Sequence, residues 1–419
     1  MSLKETARLA AGIGSVLGAR AALALRLAPR RDGWRRAAGL MLRDECSTFV
    51  LSAFGLNAFS GTQRPADPGD QPVREHVARR LADFLKSEPS LHLSIERAPE
   101  EDRARVRSGP CCTLAFEPLP EGPARFIRPD AWPDSHGHAG SPADCEYPLM
   151  NIVCRLGPRA EVDVWLRFNH AGIDGVPAQE ALTRLEAAWG IAPGTTYPEP
   201  SEFAPFSGPR PSPGREGIAE VQTFIDFAPV LEWRKRRNAE LTEPLTFSAA
   251  LLWALARHPA FAGLHMGTTV EVAPTRGLER GVGVVVVRPD DYRRRGLASY
   301  ARDFNRAMDL TRRRASAEFK TLDAAALIPA TQARALLRHA LDQTTTAFGS
   351  LGLTVLKDAR VFGAPIAQHG HPDGFIAVGN LALPTARGCK VGCVTVKGPA
   401  RRIAEYPAGI AEAVARCGE

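Results

Sequence analysis

The chain has 419 residues, more than one hydrophobic core usually takes, so two or three structural units are expected. Its 44 % apolar content is that of a soluble globular protein, and the formal charge of +7 suits an anionic ligand; because the arginines are scattered and form no tract, a nucleic-acid reading is excluded. Eight cysteines without a framework spacing read as reduced thiols in a cytosolic protein.

Residues 3–30 predict an amphipathic helix, with Leu, Ile, Val and Ala interrupted by Arg8, Arg20 and Arg26. Those arginines argue against a membrane span, and no signal-peptide cleavage pattern follows. Two readings stay open: a helix packed on the body, or an interfacial helix in peripheral contact with a membrane. Residues 46–59 are rich in strand formers and predict the first strand. In 73–86, Val77, Leu81, Phe84 and Leu85 have helical spacing, and SEPSLHLSIER after them predicts the next strand. Residues 118–148 are rich in Pro, Gly, Asp and His and predict a loop. His136 and His138 lie there beside Asp134, where solvated histidines are commoner than a metal site.

LMNIVCRL then predicts a strand paired with 161–169 through Gly157-Pro158. In that second strand Val162, Val164, Leu166 and Phe168 alternate with Asp163, Trp165, Arg167 and Asn169, the period of a half-buried strand. It ends at His170. Gly172 and Gly175 allow a closely approached turn, and Pro177 suits the first turn of a helix over 177–189. An imidazole at a strand terminus, with Asp174 four residues on, suits a general base, because neutral His titrates near working pH and the strand end fixes its direction.

Seven prolines between Pro193 and Pro213 predict an exposed, extended linker that divides the chain into two halves. The second half opens with a strand, IAEVQTFIDF. LTFSAALLWALARH predicts a buried helix, with Thr246 or Ser248 as cap. Strands follow over 265–273 and 281–288, and 297–341 is largely helical. TTTAFGSLGLTVL, over 344–356, predicts a further strand, succeeded by FGAPI, GFIAVGN and KVGCVTV.

The spacing His170-x-x-x-Asp174-Gly175 resembles the signature of the chloramphenicol-acetyltransferase-like superfamily, which includes dihydrolipoyl acyltransferase cores, condensation domains, wax-ester synthases and plant BAHD acyltransferases. RLADFLKSEPSLHLSIE is similar to an early helix-and-strand phrase of the superfamily. Thr275-Arg276-Gly277 with Val282-Gly283 is similar to a phrase of condensation domains and wax-ester synthases. Residues 345–398 resemble the dihydrolipoyl acyltransferase run from "Phe-Thr-x-Ser-x-Leu-Gly" to the last strand before the catalytic His. After KVGCVTV this chain has KGPARRIAEY and no histidine, so the second half resembles a copy that kept the strand and lost the base.

The resemblance implies an α+β fold with two α/β sandwich subdomains in one chain, a pseudo-dimer in which each subdomain is a mixed sheet with helices packed on it. The expected boundaries are a helical extension over 1–40, a subdomain carrying the motif over 41–190, the linker over 191–215 and a second subdomain over 216–419. It implies an acyltransferase that moves an acyl group from a CoA or carrier-protein thioester to a hydroxyl or amine of a small-molecule or lipid-like acceptor. Acyl-CoA or acyl-carrier protein is then a co-substrate, with no bound cofactor and no metal, and one cytoplasmic chain suffices for one site. His170 is the implied base, Asp174 holds the turn by pairing with an arginine, and Ser350 is the implied oxyanion donor, with Thr345 and Thr346 as substitutes. Gly175, Asn169 and Thr346 are implied to line the substrate. Asn169 stands where condensation domains carry a further His, which points to a free-standing acyltransferase. The plant-type motif Asp-Phe-Gly-Trp-Gly has only a shadow in Val361-Phe362-Gly363-Ala364-Pro365, which disfavours that branch.

His369-Gly-His-Pro-Asp373-Gly374 also spells the motif, but its turn precedes a strand and reads as a loop. His369 and His371 with Cys389 and Cys393 form a zinc alternative that strand geometry disfavours. The alternative from another class is a non-catalytic member that binds an acyl carrier or organises a complex.

Overall fold

The computed structural model describes residues 3–24, 48–59, 71–88, 91, 93–98, 103–108, 112–127, 129, 147–148, 150–157, 161–169, 175–192, 195, 206–209, 218–272, 281–316, parts of 319–336, 349–356, 360–363, 373–385 and 390–418. Helix α1, Leu3–Ala24, packs against residues 324–333 of the second half: Val16 sits with Ala324, Ile328 and Ala333, and a Cβ on Gly12 would lie 3.1 Å from the Gln332 carbonyl. No helix among the described residues is long and apolar enough to cross a membrane.

The fold is α+β, with two mixed sheets that each carry helices. The first half supplies β1 (Thr48–Asn57), α2 (Gln71–Lys86), β2 (Leu93–Ala98), β3 (Arg103–Ser108), β4 (Cys112–Pro118), β5 (Tyr147–Pro148), β6 (Met150–Leu156), β7 (Glu161–Asn169) and α3 (Gly175–Trp189). The second half supplies β8 (Phe206–Pro209), β9 (Ile218–Asp226), α4 (Ala228–Glu240), α5 (Phe247–Ala256), β10 (Met266–Val272), β11 (Gly281–Val287), α6 (Gly296–Arg312), β12 (Leu351–Leu356), β13 (Arg360–Gly363), β14 (Gly374–Pro384), β15 (Lys390–Pro399), α7 (Ala400–Ile403) and α8 (Tyr406–Ala415).

The first sheet has the order β13-β1-β7-β6-β4, and the second β11-β10-β12-β14-β15-β9-β8; β3-β2-β5 form a small third sheet. Val77, Leu81 and Leu85 face inward from α2, as their spacing predicts, with Val73 beside them and Phe84 only partly buried, and pack with α3 on the even-numbered face of β7. Helices α4, α5, α6 and α8 cover one face of the second sheet. Its other face meets the first sheet, where Val50, Phe54, Val153 and Trp165 pack against Phe224, Val391 and Cys393.

Four features differ from the sequence expectation. Residues 147 and 148, at the end of the expected loop, form β5, antiparallel to β2 with Ile95 opposite Tyr147. Strand β13 leaves the second half and pairs antiparallel with β1, Leu51 opposite Val361, so residues 41–190 do not complete the first sheet alone. Residues 206–209, inside the expected linker, form the outer strand β8 of the second sheet, an edge position that tolerates Pro209. Strand β7 is buried on both faces, since Asp163 and Trp165 are as inaccessible as Val162 and Val164; the second sheet covers the side that alternation alone assigns to solvent.

Candidate active site

Strand β7 is held on both sides. Its last residues pair with β1 through Thr48 and Asn169, and with β6 through Met150 and Phe168. Helix α3 begins at Gly175 with Pro177 in its first turn, where a missing N–H costs no intrahelical bond. The segment 170–174, carrying His170 and Asp174, lies outside the described residues, as do Thr345, Thr346, His369, His371 and Cys389, the three residues Asp134, His136 and His138, and Thr275-Arg276-Gly277. For Asn169 the backbone pairing is described and the side chain is not.

The polar face of β7 is anchored by a buried network. Asp163, 0 % exposed, accepts from Arg125 Nε at 2.8 Å and Nη2 at 2.6 Å, and from the Gly55 amide at 2.8 Å. Gly55 has φ +64°, in a β1 irregularity between Ala53 and Leu56 that turns its N–H toward the carboxylate. Burial pushes the Asp163 carboxyl upward, and Arg125 and the Gly55 amide pull it back. Closer to the strand end, Arg167 donates from Nε at 3.2 Å and Nη2 at 3.1 Å to Asn151 Oδ1, and Asn151 Nδ2 donates to Thr113 Oγ1 at 2.5 Å. Arg155 donates to Glu117 at 3.2 Å and to the carbonyls of Ile127 and Arg125 at 2.7 and 3.0 Å, with its guanidinium over Trp165. A strand fixed this way cannot slide, so the direction in which it delivers the chain at Asn169 is set.

Gly175 touches the other half of the molecule. A Cβ there would lie 3.4 and 3.5 Å from the two methyl carbons of Leu356, the last residue of β12. The neighbour that a side chain at 175 would meet is therefore an apolar wall of the second half.

Ser350 is at the opposite end of the same strand. It precedes Leu351, so it lies roughly 20 Å along β12 from Leu356 at ~3.3 Å per residue. Its amide donates to the His265 carbonyl at 2.7 Å, its Oγ points at the same carbonyl at 3.4 Å, and it is buried. The Asp373 amide donates to the Ser350 carbonyl, and the Asp373 carboxylate pairs with Arg402 at 2.9 Å. The structure brings Gly175 to β12 and does not bring Ser350 to Gly175. Cys393, one member of the zinc alternative, is buried between the sheets with its thiol on the Gly379 carbonyl, and among the described residues no group of three His, Cys, Asp or Glu could hold a metal ion.

No family model matches the chain, and no curated protein matches it. Solved structures do. The starter condensation domain of rhizomide synthetase RzmA is similar at 12 % identity and a TM-score of 0.45, over 95 % of this chain and 92 % of that one. F. sporotrichioides TRI101, solved with coenzyme A and T-2, is similar at 10 % identity and a TM-score of 0.47, over 90 % and 96 %. The nonribosomal peptide synthetase FmoA3 is similar at 14 % and 0.47, over 92 % of this chain and 42 % of that one.

Sequence reasoning missed two site features. The Arg125–Asp163 pair joins residues 38 apart, and Asp163 lies on an alternation that assigns it to solvent. A hydroxyl pair on the second sheet, Thr269 Oγ1 and Thr354 Oγ1 at 2.7 Å, depends on strand order, which two isolated threonines do not reveal.

Proposed function

We propose that the chain is an acyltransferase of the chloramphenicol-acetyltransferase-like kind, moving an acyl group from a CoA or carrier-protein thioester to a hydroxyl or amine, with His170 as general base. The observation that carries this reading is the place of the motif: His170-x-x-x-Asp174-Gly175 spans the junction of β7 and α3, and Gly175 meets the second half at Leu356. His170 takes the proton of the acceptor O–H or N–H as that atom bonds to the thioester carbonyl carbon; the C–S bond then breaks, and the proton passes from the imidazole to the departing thiolate. Both electron pairs and the proton are accounted for without an enzyme-bound intermediate. Asp174 acts in this reading as a positioning residue for the imidazole. Ser350 has no part in it, because its hydroxyl is spent on a backbone carbonyl far along β12.

The test is release of free CoA from acetyl-, octanoyl- and palmitoyl-CoA with hydroxyl and amine acceptors, read by mass spectrometry, for the natural protein and His170→Ala. Loss of a general base typically lowers turnover by 10²–10⁴-fold, and a drop of that order is expected. Equal release by both proteins with every pair tried would favour a non-catalytic carrier-binding role and sink the reading.

A further inference from the structure

The two halves part along the second sheet in a graded way. On β14, Phe375 and Ala377 are 6 % and 0 % exposed, inside the core they share with α2 and α3. On the next strand Leu356 is still buried, but Thr354 is only half-buried. Beyond it, on β10 and β11, Thr269, Val284 and Val286 are half-buried too. All of these side chains share one face, because in-register partners point the same way and alternate residues repeat it: Thr354 is opposite Ala377, Thr269 opposite Val284 and Gly267 opposite Val286. Gly267 is also opposite Gly352, so beside the two threonines the sheet surface carries no side chain.

The hydroxyls of Thr269 and Thr354 lie 2.7 Å apart. Two hydroxyls carry two protons, and their mutual hydrogen bond uses one. Neither has another partner among the described residues. The pair thus holds one spare donor at the place where the first half's cover ends. Thr354 is two residues, roughly 7 Å along the strand, from the Leu356 that Gly175 touches.

We infer that the Thr269–Thr354 pair is a carbonyl-binding subsite: its spare O–H donates to the acyl carbonyl oxygen of a thioester whose slender chain lies over Gly267 and Gly352. This rests on the acyl-transfer reading of His170. Carbonyl oxygen gains negative charge as the acceptor attacks, so a donor already in place stabilises that charge without reorganising. Either threonine alone still has a proton to give. The two are therefore interchangeable one at a time and indispensable together.

The experiment uses octanoyl-CoA labelled with carbon-13 at the thioester carbonyl, bound to the His170→Ala protein so that no turnover occurs, with the carbonyl stretch read by infrared difference spectroscopy. A hydrogen bond lowers that frequency below its value for the free thioester. The shift is expected with both threonines present, is kept when either is changed to valine, and is lost when both are. In the protein with His170 intact, thiol release by T269V/T354V falls about 10²-fold, the usual cost of an oxyanion donor. A double variant that melts like the natural protein and releases thiol at the natural rate overturns the inference and leaves the acyl-transfer reading standing; natural protein that releases thiol from no donor overturns both. Should the double variant not fold, the band decides alone: an unshifted stretch with both threonines in place overturns the inference.

Discussion

At the scale of single residues, the groups that matter are those whose burial conflicts with their chemistry. Asp163 is a fully buried carboxylate held by Arg125 and the Gly55 amide. Replacing it with Asn keeps the shape but leaves the guanidinium with only the longer pair to Glu161 at 3.5 Å, and breaking a buried pair in this way costs about 3–5 kcal/mol. Chemical denaturation of D163N should show that loss as a lower midpoint with an unchanged slope. Cys154 has the opposite problem: burial pushes its thiol up to about 12. A thiol whose folded value exceeds its unfolded one contributes stability that is complete below the unfolded value, near 8.5, and lost as pH rises toward the folded value. Native stability should therefore fall between about pH 8.5 and 12 with a component of about 1.4 kcal/mol per pH unit that Cys154→Ala abolishes, measured by denaturation across that range. In the folded protein iodoacetamide should mark the exposed Cys112 and spare Cys154, Cys393 and Cys417.

At the scale of elements, α3 meets β12 through a residue that has no side chain. Gly175→Ala places a methyl at ordinary contact distance from Leu356 and should leave melting nearly unchanged. Gly175→Leu forces the two elements apart at an overpacking cost of about 1–3 kcal/mol, seen as a lowered melting temperature. How far elements could be read in advance follows from the strength of their local pattern. Strand β7, helix α2 and the Thr246 cap of α5, whose Oγ1 accepts from the Ala249 amide, were legible because apolar period and cap chemistry agree there. Helix α4 was not: its sequence, APVLEWRKRRNAE, buries only Val230 and Trp233, so a polar run carries little periodic signal. Strands β3, β4 and β8 carry no stronger signal: RARVRS is short and rich in arginine, CTLAFEP is mixed in character, and the third lies among prolines that an edge position accepts. Within the site, the positions of Gly175 and the β7 terminus were legible from spacing alone. The distance between Ser350 and Gly175 was not, because it depends on which end of β12 meets α3.

At the scale of the whole molecule, the halves are interlocked. The first sheet borrows β13, and the first core includes Leu356, Phe375 and Ala377 from the second half. Residues 41–190 expressed alone should therefore give a poorly dispersed amide NMR spectrum, while the full chain unfolds in one cooperative step by calorimetry; a well-dispersed spectrum from the isolated half would contradict the interlocking. The two threonines that sequence could not pair become neighbours only because β10 and β12 run in parallel from distant parts of the chain.

A four-residue strand that reaches across to complete someone else's sheet is a detachable part. The groove beside β1 pairs with residues 360–363 through main-chain hydrogen bonds, so at protein concentrations that rival the tether's effective concentration it can take the same piece from a neighbouring molecule. Crowded refolding thus gives this protein a route to reciprocal swapped pairs, and dilution before folding is the way to obtain it as single, self-closed chains.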